Sequence, residues 1–192
     1  MADPTTPPAQ PCSPQFVVER TRRWVQDVVI GLGLCPFAQP VVTRDQVQYI
    51  VSAATSRGEL LVDLEHALRT LVTTAAATLA TTLLIHPQVL GDFLDYNDFL
   101  DDADALLKAL GLAADVQIAS FHPRYRFADT EPEQIDNFTN RSPYPMLHLL
   151  RQASVAAARA THADIEGIPA RNIATMRNLD AAARQELRDA VS

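Results

Sequence analysis

Hydrophobic positions along this chain follow two rhythms, and each rhythm predicts a different element. Phe16, Trp24, Val25 and Val28 recur at helical spacing, which predicts a helix from Pro14 or Gln15 to Ile30, stopped by Gly31 and Gly33. In Gln46–Ser52, Val47, Tyr49 and Val51 alternate with their neighbours, the pattern of a short strand. Leu60, Leu61, Leu64, Leu68, Leu71 and Val72 share one face of a helix predicted over Glu59–Ala77. Thr81–His86 and Asp115 or Val116 to Phe121 are short apolar runs of the buried-strand type. The stretch from Asn97 or Asp98 to Leu110 between them reads as a helix, ended by Gly111. Ser142-Pro143 supplies a cap and a first-turn proline for another helix reaching Ala160. Gly167 and Pro169 break the chain, and a last helix covers Asp180–Ala190.

This order predicts an α/β fold: a small parallel or mixed β-sheet of about three to four strands, packed with helices in one layer-type domain. That domain is expected to span residues 15–192. Residues 1–14 hold five prolines and almost no large apolar side chain, which predicts a disordered or extended tail. The segment Pro123–Arg141 is polar and long for a compact fold, a length that often carries function.

Two strand-like runs end in the same dipeptide: Leu83-Leu84-Ile85-His86-Pro87 and Ile118-Ala119-Ser120-Phe121-His122-Pro123. A helix between them makes the unit β-α-β, so the strands run the same way and both histidines reach one carboxyl-terminal edge. Open α/β sheets build sites at that edge. His86 and His122 are therefore candidates for proton transfer or for a divalent metal. The competing reading is that each ring satisfies backbone groups at a strand end.

The chain has 192 residues and a net charge of −7. No long basic stripe is present, which argues against nucleic acid as a partner. No run approaches the ~18 apolar residues of a membrane span. Two cysteines without metal-type spacing fit a reducing compartment, and cytoplasmic location is the expectation.

Further candidates come from three segments. Asp92–Asp102 is rich in carboxylates; Asp95 and Asp98 are candidate catalytic or metal-orienting groups, and Tyr96 and Asn97 candidate ligand contacts. Helix capping and a solvated acidic face would explain the same residues. In Asn140-Arg141-Ser142, the guanidinium and a helix start could hold a small anion, with His148 farther along. Arg141 could instead pair within the protein, and His148 could belong to the core. Cys35, in Leu34-Cys35-Pro36-Phe37, could be a thiolate, a haem or metal ligand, or a buried small hydrophobe. No phosphate-binding loop, dinucleotide fingerprint, nucleophile elbow or zinc-protease motif occurs.

Several of these segments are familiar together. They are Gly-Leu-Gly-Leu-Cys-Pro-Phe-Ala ending at Ala38, Leu-Ile-His-Pro with Asp-Tyr-Asn-Asp-Phe-Leu-Asp within Leu83–Asp101, Ile118-Ala-Ser-Phe-His-Pro, Thr139 to Arg151, and Ile168-Pro-Ala-Arg-Asn-Ile. On these the chain resembles the DUF1415 family from about Phe16 to Leu179. The resemblance implies no activity, cofactor or catalytic residue. Three readings follow from the residues alone. One is an enzyme acting on a small anionic substrate in a His/Asp/Arg-lined cleft at the sheet edge, with metal assistance as one form of it. The others are a non-catalytic binding or assembly module and a redox or haem-linked protein centred on Cys35.

Overall fold

The computed structural model describes residues 13–161 and 166–191. The expected tail therefore lies almost wholly outside the described residues. Its last two members start the fold. Ser13 Oγ accepts from Phe16 N–H, and Pro14 opens helix α1 (Pro14–Trp24). A π-helical turn, Val25–Ile30, continues it, and Gly33 follows at φ 66°, a conformation that favours glycine. Helix α2 (Ala38–Thr43) is a short turn that the hydrophobic pattern does not announce.

Strand β1 (Val47–Val51) leads to helix α3 (Arg57–Thr73), whose start is a capping box: Ser56 Oγ accepts from Glu59 N–H, and the Glu59 carboxylate accepts from Ser56 N–H. Strand β2 (Thr81–Ile85) is buried throughout. Helix α4 (Phe93–Ala109) begins four to five residues before the expected point. Asp92, not Asn97 or Asp98, is its cap, accepting from Leu94 N–H at 2.9 Å and Asp95 N–H at 3.4 Å. Gly111, at φ 71°, ends it. Strand β3 (Val116–Phe121) follows.

The largest departure comes next. Ser142–Arg151 is not a helix: strand β4 (Met146–Arg151) occupies it, after a 3₁₀ turn at Ile135–Thr139. The physical reason is local. Ser142 and Tyr144 each precede a proline, and a residue before proline is pushed out of the helical region. The Ser142 hydroxyl donates to Tyr144 C=O at 2.7 Å instead of capping a helix. Helices α5 (Gln152–Thr161), α6 (Ile168–Asn178) and α7 (Ala181–Val191) complete the order; α6 forms where Gly167 and Pro169 suggested only a break, because Pro169 sits in its first turn.

The sheet order is β1-β2-β4-β3. β1 and β2 are parallel, and β4 lies antiparallel between β2 and β3. β2 and β3 thus run the same way, as the β-α-β reading requires, but they are not neighbours. β4 is wedged between them, with His148 opposite Leu83 on one side and Ala119 on the other.

Each face has its own core. α3 and α4 pack Leu60, Leu64, Leu68 and Phe99 over Leu84, Leu147 and Leu149. α1, the π-helical turn, α6 and α7 pack Trp24, Val28, Met176 and Leu187 over Leu83, Ile85 and Met146. One side chain ties the central strands together. The fully buried Tyr96 hydroxyl donates to Met146 C=O at 2.8 Å and accepts from Phe121 N–H at 3.1 Å. Tyr96→Phe should therefore cost about 1–3 kcal/mol in urea unfolding, because both backbone groups lose their shared partner. An unchanged midpoint would show that this bridge holds nothing.

Candidate functional site

Both histidines of the paired dipeptides reach the expected edge, and both are fully buried there. His86 Nδ1–H donates to Val89 C=O at 3.1 Å. His122 Nδ1 accepts from Arg124 N–H at 2.9 Å, so its Nε2 carries the proton and donates to Leu90 C=O at 3.1 Å. The Arg124 guanidinium holds Gly91 C=O. Three successive carbonyls are thereby gripped in a turn where Leu90 sits at φ 59°, a strained conformation for a branched side chain. Both imidazoles pack on the Tyr96 ring, at 5.8 Å for His86 and 5.0 Å for His122. His86 Nε2 is buried without a hydrogen-bond partner.

The other expected members of this edge point elsewhere. Asp95, Asn97 and Asp98 are exposed on α4, and Asp95 pairs with Arg57 at 3.5 Å. Arg141 donates to Tyr125 C=O and Pro132 C=O and lies over the Phe138 ring at 4.3 Å. The Asn140 amide donates to Ser120 C=O at 3.3 Å. Asn137, Asp136 and Arg177 complete the lock on the long loop, the last two through paired bonds of 2.9 and 2.6 Å. Among the described residues no three His, Cys, Asp or Glu side chains stand close enough to hold a metal ion. His122 has both ring nitrogens engaged, which leaves His86 Nε2 as the one uncommitted nitrogen of the pair.

Two of the candidates meet in a different place. Cys35 and His148 both line a cavity of about 400 Å³ on the α1 face of the sheet. Its floor is sheet: Leu83, Ala119, Phe121, His148 and Leu150. One wall is Val25, Val29 and Val42 from the π-helical turn and α2; α5 closes the other with Val155 and Ala158. A smaller recess of about 240 Å³ beside α1 and α7 is lined by charges of both signs, among them Glu19, Arg23 and Asp27. Apolar lining with few polar groups is the common character of small-molecule sites, and the larger cavity has it.

The cavity's polar groups are defined by their hydrogen bonds. The Thr81 hydroxyl donates to Leu149 C=O at 2.7 Å, so it must accept from His148 Nε2–H at 2.8 Å. That fixes the tautomer and leaves Nδ1 as an acceptor; no hydrogen bond reaches it among the described residues. The Arg151 Nε and Nη2 donate to the Leu71, Thr74 and Leu79 carbonyls. Cys35 lies between the π-helical turn and α2, and burial pushes its thiol up despite amides of Phe37 and Ala38 that pull the other way. A neutral thiol results.

Sequence reasoning placed His148 on the wrong element and missed Val29, Val42, Ala119 and Val155. Alternation along β1 and β3 marks inward positions but cannot distinguish a packed neighbour from open space. The rare π-helical turn is invisible to a 3.6-residue pattern.

The molecule is thus an α/β protein with an open, four-stranded mixed sheet, helices on both faces and an apolar cavity on one of them. No helix among the described residues is long and apolar enough to cross a membrane. The chain belongs to the DUF1415 family, described as proteins of unknown function, whose model matches residues 16–186. No curated protein and no solved structure matches it.

Burial holds His86, His122 and His148 neutral, each pushed down to about 4. A folded-state value below the unfolded one, about 6.5, means that the unfolded chain binds more protons. The stability these rings contribute is complete above pH 6.5 and is lost as pH falls toward 4. Unfolding at pH 5 should take up as many as three protons, one per ring, and stability should fall by about 1.4 kcal/mol per pH unit for each. Denaturation midpoints that stay level between pH 7 and 5 would contradict this.

Proposed function

We propose that this protein binds a small, largely apolar molecule in the cavity on the α1 face of its sheet. This is a non-catalytic binding reading, placed on the face of the sheet. The observation that carries it is a space of about 400 Å³ walled by valine, leucine and phenylalanine yet containing one defined hydrogen-bonding imidazole. Folded interiors close such spaces, because an unfilled apolar cavity costs stability. The π-helical turn that supplies Val25 and Val29 adds to this, since such turns concentrate at functional sites. Cys35 then serves as a neutral wall residue; a redox or haem role calls for a lowered thiol pKa, and burial raises it.

The test is a saturable fluorescence titration with the neutral probe N-phenyl-1-naphthylamine. Wild type should bind one equivalent. Ala119→Leu, which places three more carbons on the cavity floor, should weaken binding by about tenfold with little change in melting temperature. Equal binding by both proteins would place the probe elsewhere, and no binding by wild type would remove the proposal.

A second reading rests on His86 Nε2, buried and unpartnered. It keeps the sheet edge as a site for a small anionic substrate, with His86 as proton acceptor. It calls for small carboxylates or phosphates to raise the melting temperature of wild type and not of His86→Ala. The cavity reading calls for no such response in either.

A further inference from the structure

Resting on the cavity reading, we infer that the ligand is a neutral molecule whose one polar group is a hydrogen-bond donor, of the phenol, alcohol or indole class, and that His148 Nδ1 receives that donor.

Most of the cavity's polar atoms are already committed within the protein. Thr81 Oγ1 already donates to Leu149 C=O and accepts from His148. Arg151 turns its Nε and Nη2 donors to three backbone carbonyls. Cys35 is a neutral thiol, a weak donor and a weak acceptor. Ser154 and Arg159 stand on α5 at exposed positions, so they belong to the mouth. The Trp24 indole N–H has no hydrogen-bond partner but is buried out of reach, and among side-chain acceptors His148 Nδ1 is what remains inside. An acceptor in apolar surroundings selects a donor, since any other group placed against it leaves a polar atom unpaired. The Phe121 ring, 6.1 Å from the imidazole, and Leu83 and Ala119, its partners across β4, supply the apolar body of the site.

The imidazole's position makes it a fixed acceptor. It stands in the central strand, with hydrogen-bonded strands on both sides. Its Nε2–H is anchored to a threonine that is itself anchored to the backbone. The tautomer cannot invert without unpairing Thr81, so Nδ1 stays an acceptor whether or not a ligand is present.

Three isosteres separate the outcomes: p-cresol, which donates; p-xylene, which does neither; and p-toluate, which is anionic. Binding is measured by nuclear magnetic resonance titration at pH 7.5 on wild type and His148→Phe. Loss of one neutral hydrogen bond corresponds to about tenfold in affinity. The expected result is that His148→Phe loses about that factor for p-cresol and none for p-xylene. On wild type, p-cresol should also move the His148 Nδ1 nitrogen resonance upfield while p-xylene leaves it in place. That spectrum keeps the test valid even if His148→Phe does not fold. Equal losses for both neutral compounds, or an unmoved Nδ1 resonance, would overturn the donor inference while leaving the cavity reading standing. Tighter binding of p-toluate than of p-cresol would put a carboxylate on Arg151 or Arg159 and overturn it as well. If none of the three binds wild type, the cavity reading itself fails.

Discussion

Everything in this molecule depends on a strand inserted against the grain. β2 and β3 are joined by a helix crossover and run in parallel, but β4 enters antiparallel between them and satisfies both inner edges. The insertion is held at its entrance by His86 N–H donating to Pro145 C=O at 3.0 Å, and one residue further by the Tyr96 hydroxyl on Met146 C=O. Without β4 neither β2 nor β3 would have a partner on that side. With it, His148 comes to the middle of the sheet, where an exposed surface feature would not be expected.

The two sheet faces are then filled unequally. On one, α3 and α4 lay long aliphatic side chains over Leu84, Leu147 and Leu149. On the other, α1, α6 and α7 cover the end of the sheet near Ile85 and Met146, while the end near Thr81 and Leu150 is roofed by α2 and α5. Small side chains at Ala80, Ala119 and Ala158 leave the space between open. The carboxyl edge shows the opposite economy. There His86, His122, Arg124, Asn140 and Arg141 bond to the backbone, and their effect is to hold a strained turn and a long loop in one shape.

Most of the architecture was legible because periodicity reports burial directly. The strands at Val47–Val51, Thr81–Ile85 and Val116–Phe121 are five or six residues long, and their patterns carry no competing helical period. The shared edge of His86 and His122 followed from the β-α-β crossover, which makes the two strands parallel. The failures have a common cause: a local signal was weighed without its neighbour. Ser142-Pro143 looks like a helix start until Pro145 is counted, since two prolines two residues apart hold the chain extended. Asn97 and Asp98 are good caps, but Asp92 is an equally good one placed earlier, and the apolar residues Phe93, Tyr96 and Phe99 already keep helical spacing from it. The cavity could not be read at all. It is an absence of atoms between elements far apart in sequence, and no local pattern encodes it.

The central claim is that the open end of the α1 face is where a ligand goes. Methyl chemical-shift mapping during titration with a small apolar probe tests it most directly. The claim predicts movement of Val29, Val42, Ala119 and Val155, with Leu84, Leu147 and Leu149 on the opposite face unmoved. Shifts confined to the opposite face or to the carboxyl edge, or no saturable shift, would contradict it.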